Sequence, residues 1–71
     1  MKNLFERLKP EHKTSLEQKF TSYPYTKQMI ENELRSKKHV IDLDFGTVNT
    51  LSEVLEVKKI DFLDIYEMFE H

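Results

Sequence analysis

Few residues of this chain have the types and spacing that covalent or metal chemistry demands. It contains no cysteine, which excludes thiolate nucleophiles, thiolate metal ligands and disulfides together. Its histidines, His12, His39 and His71, are far apart in the sequence. No two stand four residues apart, the interval that puts two ligands on one helical face. The serines Ser15, Ser22, Ser36 and Ser52 fall on expected helix surfaces or boundaries, with no nucleophile elbow around them.

The carboxylates come closer to a pattern. Asp42, Asp44 and Glu53 match positions 1, 3 and 12 of a calcium-binding loop. That loop also needs a ligand at position 5 and glycine at position 6, whereas Gly46 falls at 5 and Thr47 at 6. Two solvent-side aspartates and a helix-capping glutamate account for the same residues. There is no glycine-rich phosphate loop and no dinucleotide fingerprint. A ligand cavity of about 300–1,000 Å³ would consume much of so small a core. These features point to a protein that is not an enzyme and takes no cofactor or metal.

Charge is the sharper signal. Residues 1–39 carry nine Lys/Arg against five Asp/Glu, and residues 40–71 carry two against eight, inside a formal net charge of −2. A basic half can meet phosphate or an acidic partner, and an acidic half can meet a basic one. Arg35, Lys37 and Lys38, with Lys27 earlier on the same expected helix, are candidate phosphate contacts. Lys58 and Lys59 join them if the fold brings the two segments together. A solvated helix end explains the same cluster, since cations there oppose the negative pole of the helix. The acidic half could also imitate a nucleic-acid backbone, although its carboxylates alternate with apolar residues as in ordinary amphipathic helices.

The elements that must position these residues are short and helical. The 71 residues form one domain, 1–71. A chain of this length buries only about 60% of its unfolded surface, so its core is marginal. A second subunit is then a plausible staple, and a homodimer is the expectation. The spacing predicts helices over residues 2–9, 11–22 and 24–38, with Pro10 and Pro24 in or beside first turns. Leu16, Phe20 and Tyr23 form the second helix's apolar stripe, and Met29, Ile30 and Leu34 the third's. Residues 40–45 alternate Ile41, Leu43 and Phe45 with two aspartates. They read either as an extended loop over the core or as a strand pairing with a second copy. Gly46 is expected in a turn at positive φ. Thr50-Leu51-Ser52-Glu53 has the form of a capping box opening a helix over about 50–57.

A fifth helix is expected from Asp61 to residue 70. Phe62, Ile65, Tyr66 and Phe69 make its stripe, flanked by Leu63 and Met68. This arc is wider than the roughly 100° face of a surface helix, so the helix either lies at the centre of the fold or contributes to an interface, and for the second case these six are the candidate interface residues. Thr50-Leu51, Val54-Leu55-Glu56-Val57, Phe62-Leu63, Tyr66 and Phe69 together resemble the last two helices of phage-repressor-type helix-turn-helix domains. The resemblance covers about 20 residues and implies no DNA-reading residue, because it stops short of a recognition helix.

The fold class is therefore all-α: four to five short helices with one extended connection at residues 40–45. No apolar run reaches the length of a membrane span, and the N-terminus lacks the apolar core of a secretory signal. A cytoplasmic location is expected. The scarcity of Gly, Ala, Arg and Pro suggests an AT-rich gene from a low-GC bacterium, its phage or its plasmid. The expected function is that of a small regulator or inhibitor that binds another protein through its C-terminal helix. The alternative is a helix-turn-helix-like DNA-binding regulator using the basic end of the third helix.

Overall fold

Two prolines and two polar caps decide where the helices begin. The computed structural model, which describes residues 2–67, holds α1 (Leu4–Arg7), α2 (Pro10–Lys19), α3 (Pro24–Ser36) and α4 (Phe45–Val54). A short 3-10 turn (Val40–Asp42) precedes α4, and a 3-10 helix (Lys59–Ile65) follows it. The chain is a small all-α bundle. Pro10 and Pro24 each open a helix, where a missing N–H costs nothing. At α1 the Glu6 N–H donates to Asn3 Oδ1 at 2.8 Å, and the Asn3 N–H donates back to Glu6 Oε1 at 3.1 Å.

The core is built from one stripe per element. Leu4 and Leu8, Leu16 and Phe20, Ile30 and Leu34, Leu43, Leu51, and Phe62, Ile65 and Tyr66 are all buried. α1 packs on α3, α2 on α4, and α4 on the 3-10 helix. Backbone bonds close the ends. The Leu4 N–H donates to the Lys37 carbonyl at 2.9 Å, so the start of α1 satisfies a carbonyl left over at the end of α3. The Lys9 N–H donates to Ile65 O at 3.0 Å and the Glu67 N–H to Arg7 O at 2.7 Å, flanking an antiparallel bridge between Leu8 and Tyr66.

Several expectations need correction. Residues 40–45 are not one extended segment. They make a 3-10 turn, two extended residues, Leu43 and Asp44, and then the first residue of α4. That helix begins at Phe45, not near Thr50, because Asp44 is already a strong N-cap: its side chain accepts from the Gly46 N–H. The earlier start also brings Val48 onto the stripe of Leu51 and Leu55. Gly46 therefore lies in the first helical turn, and its φ is not positive. What it supplies is space, since a Cβ there would stand 2.8 Å from Asp44 Oδ2. Tyr23 and Met29, read as core residues, are 63% and 55% exposed.

The turn after α4 uses a residue that the sequence does not flag. Glu56 has φ 55°, the left-handed region that normally selects glycine. Its N–H donates to Glu53 O at 3.3 Å and that of Val57 to Ser52 O at 3.0 Å. This pair of bonds is the Schellman closure of a helix C-terminus.

The segment Lys59–Ile65 is 3-10, not α-helical. At 3.0 residues per turn, positions three apart eclipse. Phe62 and Ile65 therefore both point inward, whereas Ile60 and Leu63 point outward at 90% and 57% exposure. The single wide arc read at helical period is in fact two separate ridges. Among the described residues no helix is long and apolar enough to cross a membrane.

Candidate partner-binding cleft

Glu33 and Asp44 stand on different elements and are joined by the backbone. The Asp44 N–H donates to Glu33 Oε2 at 3.1 Å, and the Gly46 N–H donates to Asp44 Oδ2 at 2.9 Å. The first bond ties α3 to the start of α4, and the second caps α4. Between the two helices lies an open-sided cleft of about 490 Å³. Thr26, Met29, Ile30 and Glu33 of α3 face Asp44, Gly46, Thr47 and Thr50 across it. The spacing on α3 explains its wall: residues 26, 29, 30 and 33 follow the three-and-four rhythm of one helical face.

Met29, one of the lining residues, is 55% exposed. Phe45 at the head of α4, Tyr25 at the start of α3 and Ile41 in the turn leading to α4 are also largely exposed, but they are not among the lining residues. An exposed apolar side chain at a concavity is a common mark of an interaction site. Sequence reasoning put Met29 on an apolar stripe, placed Ile41 and Phe45 in an alternating segment, and did not single out Tyr25. The signal for Phe45 was present in Asp44-Phe45-Gly46, an N-cap followed by the first helical position, which leaves the core.

The predicted interface residues are dispersed. Phe62, Ile65 and Tyr66 are buried inside the chain itself, and the rings of Phe62 and Tyr66 meet edge to face with centroids 5.8 Å apart. They are core residues and cannot anchor a partner without unfolding the molecule. Leu63 does point outward. Met68 and Phe69 lie outside the described residues.

The predicted phosphate contacts are divided as well. Lys27 is ion-paired with Glu17 at 2.8 Å and Glu31 at 3.2 Å. Those hydrogen bonds, that with Glu17 foremost, raise its ammonium above the usual lysine range. Its charge is spent within the chain. Arg35 lies 4.1 Å from the centroid of the Phe5 ring and 3.6 Å from Glu31, while Lys13 stands 5.4 Å from the same ring. Lys37 and Lys38 follow beside α1 and make no ion pair among the described residues. Lys58 and Lys59 open the 3-10 helix, about 12 Å of helical rise from Ile65, the residue bonded to Lys9. No hydrogen bond or ion pair among the described residues joins them to the end of α3.

No protein-family model, curated protein or solved structure matches this chain. Among the described residues, no group of three or more His, Asp or Glu side chains is placed to hold a metal ion. Asp44, one of the three residues at calcium-loop spacing, is engaged as the cap of α4.

Proposed function

We propose that the protein is a small interaction protein that captures a segment of another protein in the cleft between α3 and α4. Met29 is its exposed apolar anchor. The observation that carries this reading is the exposure of Met29 at a formed concavity rather than on an open stretch of surface. Aromatic residues and methionine are enriched at such surfaces, and one small domain with one binding face acts by occupying its partner, as regulators and inhibitors do. A cytoplasmic protein from a phage or mobile element of a low-GC bacterium fits the composition.

A random peptide library displayed against the immobilised protein tests the reading, with the enriched peptides mapped by amide shifts in the labelled protein. The shifts should centre on Thr26, Met29, Thr47 and Thr50. Met29→Ser should weaken binding about tenfold, the scale of an interface hot spot, with the far-ultraviolet circular dichroism unchanged. Peptides that map to the Ile60–Leu63 ridge, or no enrichment at all, would sink it. Light scattering on the wild type and Met29→Ser addresses homodimerisation. A dimer that Met29→Ser converts to monomer would make a second copy the occupant of the cleft.

A second reading rests on a different observation. Arg35 and Lys13 both approach the Phe5 ring, with Lys37 and Lys38 nearby, and this basic group could contact nucleic-acid phosphates. On that reading, affinity for duplex DNA falls steeply with salt. Replacing Lys37 and Lys38 by alanine then lowers the logarithmic slope by about one per lost contact.

A further inference from the structure

We propose that the cleft between α3 and α4 recognises a basic side chain, arginine above all, carried on an apolar segment of the partner protein. The inference rests on the protein-binding reading and deepens it. Its starting point is charge: Glu33 and Asp44 line the cleft, and no lysine or arginine does. Each carboxylate is pinned through one oxygen by a backbone N–H. Neither Glu33 Oε1 nor Asp44 Oδ1 accepts a bond from the protein among the described residues. The two groups are thus ordered before a ligand arrives, which lowers the entropy cost of binding.

Nothing nearby cancels their charge. Lys27 adjoins the wall at Thr26, but its ammonium is held by Glu17 and Glu31. Lys37, one turn beyond Glu33, makes no ion pair with it. The start of α4 opposes a cation with about half a positive charge. Two full carboxylates outweigh that, leaving the site clearly negative.

The rest of the lining suits the body of such a side chain. Met29 and Ile30 offer an apolar wall for the methylene stem, as long basic side chains commonly find. Threonine hydroxyls at 26, 47 and 50 can accept from donors that the carboxylates leave over. Arginine is favoured over lysine because its planar fork reaches two carboxylates at once, while an ammonium acts as a point charge.

The test uses capped tripeptides, acetyl-Leu-Arg-Phe-amide and its citrulline, lysine and glutamate counterparts, titrated to millimolar concentration into the labelled full-length chain. Citrulline keeps the shape of arginine and removes the charge. The arginine peptide should shift the amides of Thr26, Thr47 and Thr50, bind at least tenfold tighter than the citrulline peptide, and bind tighter than the lysine one. Glu33→Gln and Asp44→Asn should each erode that preference. Both retain the oxygen that accepts the backbone N–H, and asparagine caps helices as well as aspartate does. Met29→Ser should weaken both peptides equally. Equal affinity for the arginine and citrulline peptides, or a preference that survives both carboxylate variants, would overturn the inference and leave the protein-binding reading standing. If no peptide shifts the cleft and the display library also yields no cleft binder, both fail together.

Discussion

Replacing Phe62 by alanine, beside the same change at its neighbour Leu63, separates a core role from an interface role within one turn of chain. Phe62 is 5% exposed and packs edge to face on Tyr66. Truncating a buried phenylalanine costs about 3–5 kcal/mol. A chain of 71 residues has a total stability of about 4–11 kcal/mol at ordinary per-residue values. Phe62→Ala should therefore remove a large share of the folding free energy. Leu63 is 57% exposed, so less than half of the roughly 1.5–3 kcal/mol of full burial is at stake, and Leu63→Ala should cost less than about 1 kcal/mol. Urea denaturation followed by circular dichroism reads the difference as a midpoint shift at constant slope. In a thermal melt, a gap of about 2 kcal/mol appears as roughly 8–16 °C. A Phe62→Ala protein within 1 kcal/mol of wild type would refute the placement of this ring in the core. Equal losses at the two positions would refute the 3-10 geometry that turns one inward and the other out.

Glu56 and Tyr66 carry two further predictions. Glu56 occupies the left-handed region at φ 55°, where an L side chain costs about 1–2 kcal/mol. Glu56→Gly should be more stable in urea than Glu56→Ala by about 1 kcal/mol, since both delete the carboxylate and only one relieves the backbone. The reverse order would mean that the Schellman turn does not form. Burial raises the Tyr66 phenol above its ordinary value of 10.0. The folded state then holds its proton more tightly than the unfolded one, so this contribution is complete below about pH 10 and is lost as pH rises beyond it. Above pH 10, wild-type stability should fall more steeply than that of Tyr66→Phe, by up to about 1.36 kcal/mol per pH unit. Parallel pH profiles would show that Tyr66 is not buried.

Much of the helical framework was legible because it depends on local chemistry. Pro10 and Pro24 marked helix starts, and Leu16, Ile30, Leu34 and Leu51 were read as inward-facing from spacing alone. The candidate site was almost wholly illegible. Met29 belonged to an apolar stripe, yet α3 meets its neighbours along Ile30 and Leu34 and leaves Met29 at the cleft. Glu33 and Asp44 are eleven residues apart, and no periodicity joins them. Only the docking of α3 against the start of α4 does so.

An all-α chain without cysteine chemistry, divided into a basic and an acidic half, follows from composition and helical period, which are local properties of the chain. The remaining features depend on how the elements pack. The last segment took a period of 3.0 rather than 3.6, with Phe62 and Ile65 in the core and Leu63 outside, and Tyr66, past the end of that helix, is buried beside its bridge to Leu8. Lys27 was drawn into pairing with Glu17 on another helix, and Phe45 was left outside at the head of α4. These outcomes depend on which apolar stripes meet across space, a competition among non-local contacts that no window of neighbouring residues records.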